Sequence, residues 1–237
     1  MVIFVRETFA IYLSFSISFN ITMNIAIVGA TGNVGRKIIE VLEKKELDID
    51  NLYLLASARS AGLKINFNGK EHEVLDLENF DFSAIKITFF AAGGKISENF
   101  VEKVAKHSLV IDNSSFYRMD PDVPLIVPQV NSDHLKNIKK NIIANPNCST
   151  AQLVIALKPL HDLFVIKRVV ISTYQSVSGG GKAPMDELLE QTKLVLENKK
   201  IEPKNFTKQI AFNVIPHIDV FSDDGYTKEE LKMVNET

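Results

Sequence analysis

Cysteine is almost absent from this sequence of 237 residues, and tryptophan is absent altogether. Because Cys148 is the single cysteine, an internal disulfide is impossible and a cysteine-rich zinc site is disfavoured. The charges nearly balance, since 27 Lys and Arg oppose 29 Asp and Glu for a net charge of −2. A nucleic-acid-binding surface is therefore not indicated. These features of the composition fit a protein of a reducing, cytoplasmic compartment. The length allows one large domain or two smaller ones.

A convincing membrane span is also lacking, and the closest approach to one lies near the N-terminus. Residues 9–21 are rich in Phe, Ile and Ser and follow Arg6 and Glu7, which is the pattern of a weak signal-peptide core. However, the charged leader is thin, no small-x-small cleavage site follows, and the run is too short and too hydroxyl-rich to cross a membrane. We therefore expect residues 1–22 to be an extension outside the fold, with Met23 as the natural start.

The stretch after Met23 has the pattern of a nucleotide-binding unit. Residues 24–28 form a continuous apolar run, which is typical of a strand buried on both faces, and residues 36–44 have helical spacing. The turn between them reads Gly29-Ala30-Thr31-Gly32-Asn33-Val34-Gly35. Its glycines permit a tight turn and a close approach of a pyrophosphate to the helix N-terminus. The spacing differs from the commoner G-x-G-x-x-G, and such turns also occur without ligands, but this setting favours dinucleotide binding.

The end of the second predicted strand, at residues 52–58, bears on the choice of cofactor. NAD-preferring folds usually carry an acidic residue there for the ribose 2′-hydroxyl. Here Arg59 and Ser60 follow the strand. A guanidinium and a hydroxyl suit a 2′-phosphate, so NADP is predicted. The alternative is an ordinary solvated arginine.

Alternating strands and helices continue to about residue 147 and indicate a parallel, doubly wound α/β sheet. A hairpin is predicted across Asn68-Gly69 within residues 63–75. Further strands are predicted at 85–90 and 109–112, with a helix at 97–107. After residue 148 the pattern changes, and it predicts a strand at 167–177, a helix at 185–199, a β-like segment at 206–221 and a helix from residue 228. We therefore predict a Rossmann-type domain over residues 23–147 and an α+β domain over residues 148–237.

Cys148 lies in a strand–turn–helix context. The apolar run 142–144 precedes it, Asn145-Pro146-Asn147 supplies a turn, and residues 149–157 have helical composition. The thiol is therefore expected in the first turn of a helix, where unpaired N–H groups and the positive end of the dipole favour a thiolate. Beside a nicotinamide, a thiolate can add to an aldehyde, lose hydride to the cofactor and leave a thioester. The alternative is that Cys148 is a small buried hydrophobe.

Arg118 is a candidate for binding an anion. Its guanidinium could hold a phosphate or carboxylate through a bidentate fork. The alternative is a salt bridge at the edge of the sheet.

Six motifs, in the right order, resemble aspartate-semialdehyde dehydrogenase. They are Gly-Ala-Thr-Gly-Asn-Val-Gly at 29–35, Ser-Ala-Arg-Ser-Ala-Gly at 57–62, Asp-Asn-Ser-Ser-x-x-Arg-Met-Asp at 112–120, Asn-Pro-Asn-Cys-Ser-Thr at 145–150, Thr-Tyr-Gln-Ser-Val-Ser-Gly at 173–179 and Asn-Val-Ile-Pro-His-Ile-Asp at 213–219. The resemblance implies a reversible, NADP-dependent reduction of L-aspartyl 4-phosphate to L-aspartate 4-semialdehyde and phosphate. It places this step in lysine, threonine, methionine and diaminopimelate biosynthesis. N-acetylglutamyl-phosphate reductase is a weaker alternative, because it shares the plan but not the motifs around Cys148 and Gln175.

The resemblance also implies a role for each matched residue. Cys148 would carry the acyl group, Gln175 would position the substrate beside the thiol, and Arg118 would bind the phosphate. Glu236 would hold the substrate's amino group. The NADP contacts would come from Gly29, Thr31, Gly32, Asn33, Val34, Arg59, Ser60, Ser178 and Gly179. No metal is implied.

Members of the family continue for roughly another hundred residues, within the usual range for two domains. The second, catalytic and dimerisation domain would therefore be truncated here. The further part carries an Arg for the substrate carboxylate and a His that acts as general acid/base, and none of the five histidines matches its context. The resemblance thus leaves open an enzyme with little turnover or a catalytically silent remnant that binds only nucleotide or a partner. The full-length family is expected to form homodimers or homotetramers.

Overall fold

A computed structural model describes residues 23–45 and 47–237, so the prediction for residues 1–22 lies outside the described residues. The described chain forms two compact units. The first comprises the described residues up to Lys167 together with Asn235–Thr237, and the second comprises Arg168–Val234.

A sheet of seven strands forms the centre of the first unit. Its strands are β1 (Asn24–Val28), β2 (Asn51–Ala56), β3 (Lys64–Phe67), β4 (Lys70–Asp76), β5 (Ile87–Phe90), β6 (Leu109–Asp112) and β7 (Ile142–Ala144). The spatial order is β3-β4-β2-β1-β5-β6-β7, and every pair is parallel except the β3–β4 hairpin. The predicted doubly wound sheet is thereby confirmed. The order of strands reverses between β1 and β5, and ligands of such sheets bind at the carboxyl ends of the strands at this point.

The helices are α1 (Asn33–Lys44), α2 (Gly94–Val104), α3 (Pro128–Asn131), α4 (Cys148–Phe164), α5 (Lys182–Leu196) and α6 (Lys228–Glu236). None of the helices within the described residues combines the length and the apolar character needed to cross a membrane.

The apolar runs of the sequence explain why the sheet is buried on both faces. All five residues of β1 are buried, as a continuous apolar run predicts. Ile25 and Ile27 belong to one apolar cluster and Ala26 and Val28 to another, because successive side chains of a strand point to opposite faces.

The predicted hairpin is confirmed at Asn68 and Gly69. Their φ values are 51° and 74°, which is the left-handed backbone that a two-residue hairpin turn requires. Lys64–Phe67 and Lys70–Asp76 pair in antiparallel fashion on either side of this turn.

The second unit departs from the sequence predictions. Its two helical segments are confirmed, but the strands predicted at 167–177 and 206–221 are wrong, apart from a single bridge between Phe221 and Thr227. A β-branched run becomes a strand only when a neighbour satisfies its backbone groups, and within the described residues no strand pairs with either segment. The buried side chains of this unit are mostly polar, and Glu187 and Gln191 on α5 are the largest of them.

Candidate active site

The glycine-rich turn connects β1 to α1 and lies against the end of β5, at the point where the sheet order reverses. Gly29 follows β1 with φ of +86°, and a β-carbon built on it would lie 2.6 Å from the carbonyl oxygen of Ala91, just after β5. The backbone N–H groups of Gly29 and Ala30 both donate to the carbonyl oxygen of Leu55 in β2, at 2.8 and 3.1 Å. The turn is therefore fixed between the ends of three strands.

The start of α1 fits a pyrophosphate. The N-cap residue, Gly32, supplies no side-chain cap to the first turn, and that turn contains no acidic residue, so the helix start suits an anion. A β-carbon on Gly35 would lie 2.2 Å from the carbonyl oxygen of Gly29, so the turn can be this tight only with glycine. Gly32 and Asn33 are exposed, while Thr31 and Val34 are half-buried. The residues of this turn that were predicted to bind a dinucleotide therefore lie in a tight turn whose helix start has no capping side chain and no acidic residue.

Arg59 and Ser60 lie at the same edge of the sheet. They belong to a 3₁₀ turn, Ala58–Ser60, that begins two residues after β2, and Arg59 is exposed. Because β2 is parallel to β1 and pairs Leu55 with Val28, both strands end side by side. The guanidinium thus extends from the strand end where the ribose of a dinucleotide is usually recognised.

Cys148 is the first residue of α4, in agreement with the strand–turn–helix prediction. The side-chain oxygen of Asn147 caps the helix by accepting a hydrogen bond from the N–H of Ser149 at 2.9 Å. The same oxygen lies 3.5 Å from the sulfur of Cys148 and accepts its S–H. Cys148 is exposed, so the alternative of a small buried hydrophobe does not hold.

A ladder of amide groups holds the strand ends that precede Cys148. The side chain of Asn113, after β6, donates to the carbonyl oxygen of Phe90 in β5 at 3.0 Å. The side chain of Asn145, after β7, donates to the side-chain oxygen of Asn113 at 2.8 Å. Three neighbouring strands are therefore tied together at the edge from which α4 begins.

Arg118 completes this ladder. Its Nε donates to the carbonyl oxygen of Asn145 at 2.8 Å, and its Nη2 donates to that of Asn113 at 3.1 Å. Its Nη1 lies 3.0 Å from Oε1 of Glu236, and the two side chains are only 9% and 3% exposed. The other oxygen of Glu236 accepts the backbone N–H of Asn147 at 2.6 Å. Both oxygens of the carboxylate expected to hold a substrate amino group are thus engaged by protein donors.

The second unit contains a polar cluster around Gln175. Its amide nitrogen donates to Oε1 of Glu229 at 2.9 Å, and its amide oxygen accepts from the hydroxyl of Thr173 at 2.9 Å. Lys232 bonds Glu229 at 3.0 Å and Asp219 at 3.1 Å. Burial lowers the pKa of Lys232, but these two carboxylates outweigh it and leave that pKa raised.

Glu229 and Lys232 belong to none of the six motifs. Their spacing of three residues on α6, which places both on one face of a helix, is the signal that could have found them. Ser178 and Gly179, predicted to contact NADP, lie exposed in the 3₁₀ turn Val177–Gly180 of the same unit.

Two protein-family models match this chain. Residues 24–138 match the family model of the semialdehyde dehydrogenase NAD binding domain, and residues 157–237 match that of the semialdehyde dehydrogenase dimerisation domain. The aspartate-semialdehyde dehydrogenase of Aquifex aeolicus is 55% identical over 218 residues, which are 90% of this chain and 64% of that protein. The chain belongs to the aspartate-semialdehyde dehydrogenase family.

Solved structures of this aspartate-semialdehyde dehydrogenase family extend the comparison. Aspartate semialdehyde dehydrogenase II of Vibrio cholerae complexed with ASA superposes with a TM-score of 0.88 at 50% identity, over 91% of this chain and 65% of that one. The Candida albicans enzyme with NADP gives a TM-score of 0.53 at 29% identity, over 61% of this chain and 48% of that one. The chain therefore spans less than two thirds of the length of each of these relatives.

Proposed function

We propose that this protein catalyses the reversible, NADP-dependent conversion of L-aspartyl 4-phosphate to L-aspartate 4-semialdehyde and phosphate through an acyl group on Cys148. The observation that carries the proposal is the exposed Cys148 at the start of a 17-residue helix, at the same edge of the sheet as the glycine turn. An accessible thiol at a helix N-terminus is suited to nucleophilic attack on a carbonyl carbon.

The residues of the first unit have different roles in the proposed reaction. In the direction of reduction, the sulfur of Cys148 attacks the acyl phosphate, forming a thioester as phosphate leaves. Arg118, already oriented by two backbone carbonyls, stabilises the charge of the departing phosphate. NADPH, when bound, supplies hydride, and the glycine turn with Arg59 and Ser60 holds the dinucleotide. Ser178 and Gly179, which lie in the second unit, are assigned further contacts to NADP.

Gln175 and Glu229 are the proposed substrate-orienting pair of the second unit. Their hydrogen bond of 2.9 Å supports this assignment, because it presents an amide and a carboxylate together. Glu229 can accept the ammonium group of an aspartyl substrate. We therefore assign to Glu229 the role that the motif comparison had implied for Glu236, because the side chain of Glu229 is 12% exposed and lies beside Gln175, whereas that of Glu236 is 3% exposed and paired with Arg118.

A direct assay tests the reaction. The purified chain is incubated with aspartate semialdehyde, phosphate and NADP, and the absorbance of the reduced cofactor is followed, with Cys148→Ser as the paired control. Turnover that disappears in C148S supports the proposal. A folded protein that shows no turnover and forms no acyl adduct by mass spectrometry contradicts it and favours the catalytically silent interpretation. Preference for N-acetylglutamate semialdehyde instead would favour the acetylglutamyl-phosphate reductase interpretation.

The proposal also covers the cellular localisation and the oligomeric state of the protein. The reaction belongs to cytoplasmic biosynthesis of lysine, threonine, methionine and diaminopimelate. The match of residues 157–237 to a dimerisation domain supports a homodimer or homotetramer. Sedimentation equilibrium of the purified chain measures its mass, and a monomer at all concentrations would contradict this part.

A further inference from the structure

The carboxylate of Glu236 joins two predicted catalytic elements of the first unit. Its Oε1 accepts from Nη1 of Arg118 at 3.0 Å, and its Oε2 accepts from the backbone N–H of Asn147 at 2.6 Å. Asn147 is the N-cap residue of α4 and directly precedes Cys148. A single side chain therefore fixes both a guanidinium and the backbone that carries the thiol.

The rest of Arg118 is held from the opposite side. Its Nε and Nη2 donate to the carbonyl oxygens of Asn145 and Asn113 at 2.8 and 3.1 Å. An arginine has five N–H donors in a rigid fork. These three hydrogen bonds therefore orient the guanidinium and leave donor capacity for an anionic ligand.

Burial makes the arrangement difficult to deform. The side chains of Arg118 and Glu236 are 9% and 3% exposed. If either moved away, the other would remain as a buried charge without its partner, which is strongly unfavourable. Asn145 and Asn147, which flank Pro146 on the turn before Cys148, are both tied to this one ion pair.

We propose that Glu236 is a positioning residue, which sets the distance and orientation between the guanidinium of Arg118 and the helix start that carries Cys148. This inference rests on the proposed function, in which Arg118 binds the phosphate group and Cys148 receives the acyl group. Glu236 does not touch the substrate in this assignment. It determines where a phosphate held by Arg118 lies relative to the sulfur.

Thiol chemistry tests the inference without requiring turnover, because Cys148 is the single cysteine. The rate of alkylation by iodoacetamide is measured with increasing inorganic phosphate for the 237-residue chain and the variants Glu236→Gln and Glu236→Asp. Gln keeps the shape but turns an NH₂ towards one of the two donors, whereas Asp keeps the charge but is one methylene too short to reach both. Since a hydrogen bond to a charged group is lost in each, we expect the half-protecting phosphate concentration to rise about tenfold or more.

Glu78→Gln is the matched control. Glu78 is an exposed carboxylate of the first unit, so E78Q removes the same charge without touching Arg118 or Asn147. E78Q is expected to show the wild-type protection. Circular dichroism establishes that each variant is folded at the temperature of the measurement. If folded E236Q and E236D are protected by phosphate as well as E78Q is, the inference is overturned.

Hydrogen exchange in the wild-type protein gives a second test that needs no variant. The amide of Asn147 donates to a buried carboxylate, so it should exchange about 100-fold or more slowly than an unstructured amide. Exchange at the unprotected rate overturns the inference even if the variants do not fold. If phosphate fails to protect the wild type at all, the proposed phosphate role of Arg118 fails and the positioning role of Glu236 fails with it, whereas unprotected exchange at Asn147 counts against Glu236 alone.

Discussion

Gly29 and Ala91 lie so close together that a β-carbon on Gly29 would stand 2.6 Å from the carbonyl oxygen of Ala91. The two residues follow β1 and β5, the neighbouring strands between which the sheet order reverses. A glycine is needed there for two reasons, since its φ of +86° disfavours other residues and the space is already filled by backbone. The turn that would hold the pyrophosphate can therefore form only because glycine has no side chain at position 29.

We expect Gly29→Ala to destabilise the protein by about 3 kcal/mol, because the strain of a positive φ adds to a clash with backbone atoms. Gly62→Ala is the matched control. Gly62 has φ of +84° but nothing within 4 Å of its added β-carbon, so only the backbone strain of about 1 kcal/mol applies. Urea unfolding followed by circular dichroism measures both, and equal losses would show that the contact with Ala91 has no energetic effect.

Glu187 is the buried carboxylate that organises the second unit. It accepts the backbone N–H groups of Lys204 and Asn205 at 2.8 and 2.6 Å and the side-chain amide of Gln191 at 2.7 Å. Burial raises the pKa of Glu187, but these hydrogen bonds to its charged form outweigh burial and leave the pKa below its usual value near 4.5. Because the pKa is lower in the folded state, Glu187 contributes stability above the unfolded-state pKa and loses it as the pH falls through the folded-state pKa.

We therefore expect the wild-type free energy of unfolding to fall below about pH 4.5 more steeply than that of Glu187→Gln. At pH 7, E187Q should be about 2 kcal/mol less stable, since charged hydrogen bonds are replaced by weaker ones. The control is Glu190→Gln, at an exposed position on the same helix whose ion pair with Lys204 contributes little. Urea unfolding between pH 3 and pH 7 (a range set by the usual carboxyl pKa) provides the comparison. If E187Q and E190Q follow the same curve, the assigned role of Glu187 is wrong.

The sequence predicts those features that depend on neighbours along the chain. The apolar run of Asn24–Val28, the turn at Asn68-Gly69 and the helix that begins at Cys148 all follow from local patterns, and the structure contains each of them. Local periodicity, turn residues and capping residues act over a few positions, so a single sequence records them directly.

Contacts between distant positions could not be predicted in the same way. Arg118 and Glu236 are 118 residues apart, and no local pattern indicates that they form an ion pair. The prediction of a strand at 167–177 was wrong because a suitable composition is not enough. A strand also requires a neighbouring strand to pair with. Hydrogen-bond partners from elsewhere in the chain decide both cases.

The cluster of Gln175 and Glu229 predicts selective recognition of an amino group. If Glu229 accepts the substrate's ammonium, Glu229→Gln should weaken binding of aspartate semialdehyde about tenfold or more, because a charged hydrogen bond is lost. Binding of succinic semialdehyde, which lacks the amino group, should not change. Protection of Cys148 from iodoacetamide by each aldehyde measures the two affinities.

Glu230→Gln is the control for that experiment. Glu230 accepts the N–H of Thr227 at 2.6 Å in a reciprocal helix cap, and Gln can replace Glu in such a cap. E230Q thus removes one negative charge beside Glu229 and keeps the helix start. Recognition of the amino group by Glu229 would be contradicted if E229Q weakened the binding of both aldehydes equally. It would also be contradicted if E229Q and E230Q had equal effects on the binding of aspartate semialdehyde.

Arg59 predicts discrimination between the two nicotinamide dinucleotides. Its exposed guanidinium follows β2 at the strand end where a ribose is usually recognised. Because a guanidinium pairs with a phosphate through charged hydrogen bonds, Arg59→Ala should weaken NADPH binding about tenfold or more and leave NADH binding nearly unchanged. Fluorescence titration with each cofactor measures this, and the difference should shrink as salt screens the exposed charge. Lys64→Ala removes another exposed cation of the same unit and should alter neither affinity. If R59A weakens the binding of NADPH and NADH equally, Arg59 contributes to dinucleotide binding but does not recognise the 2′-phosphate.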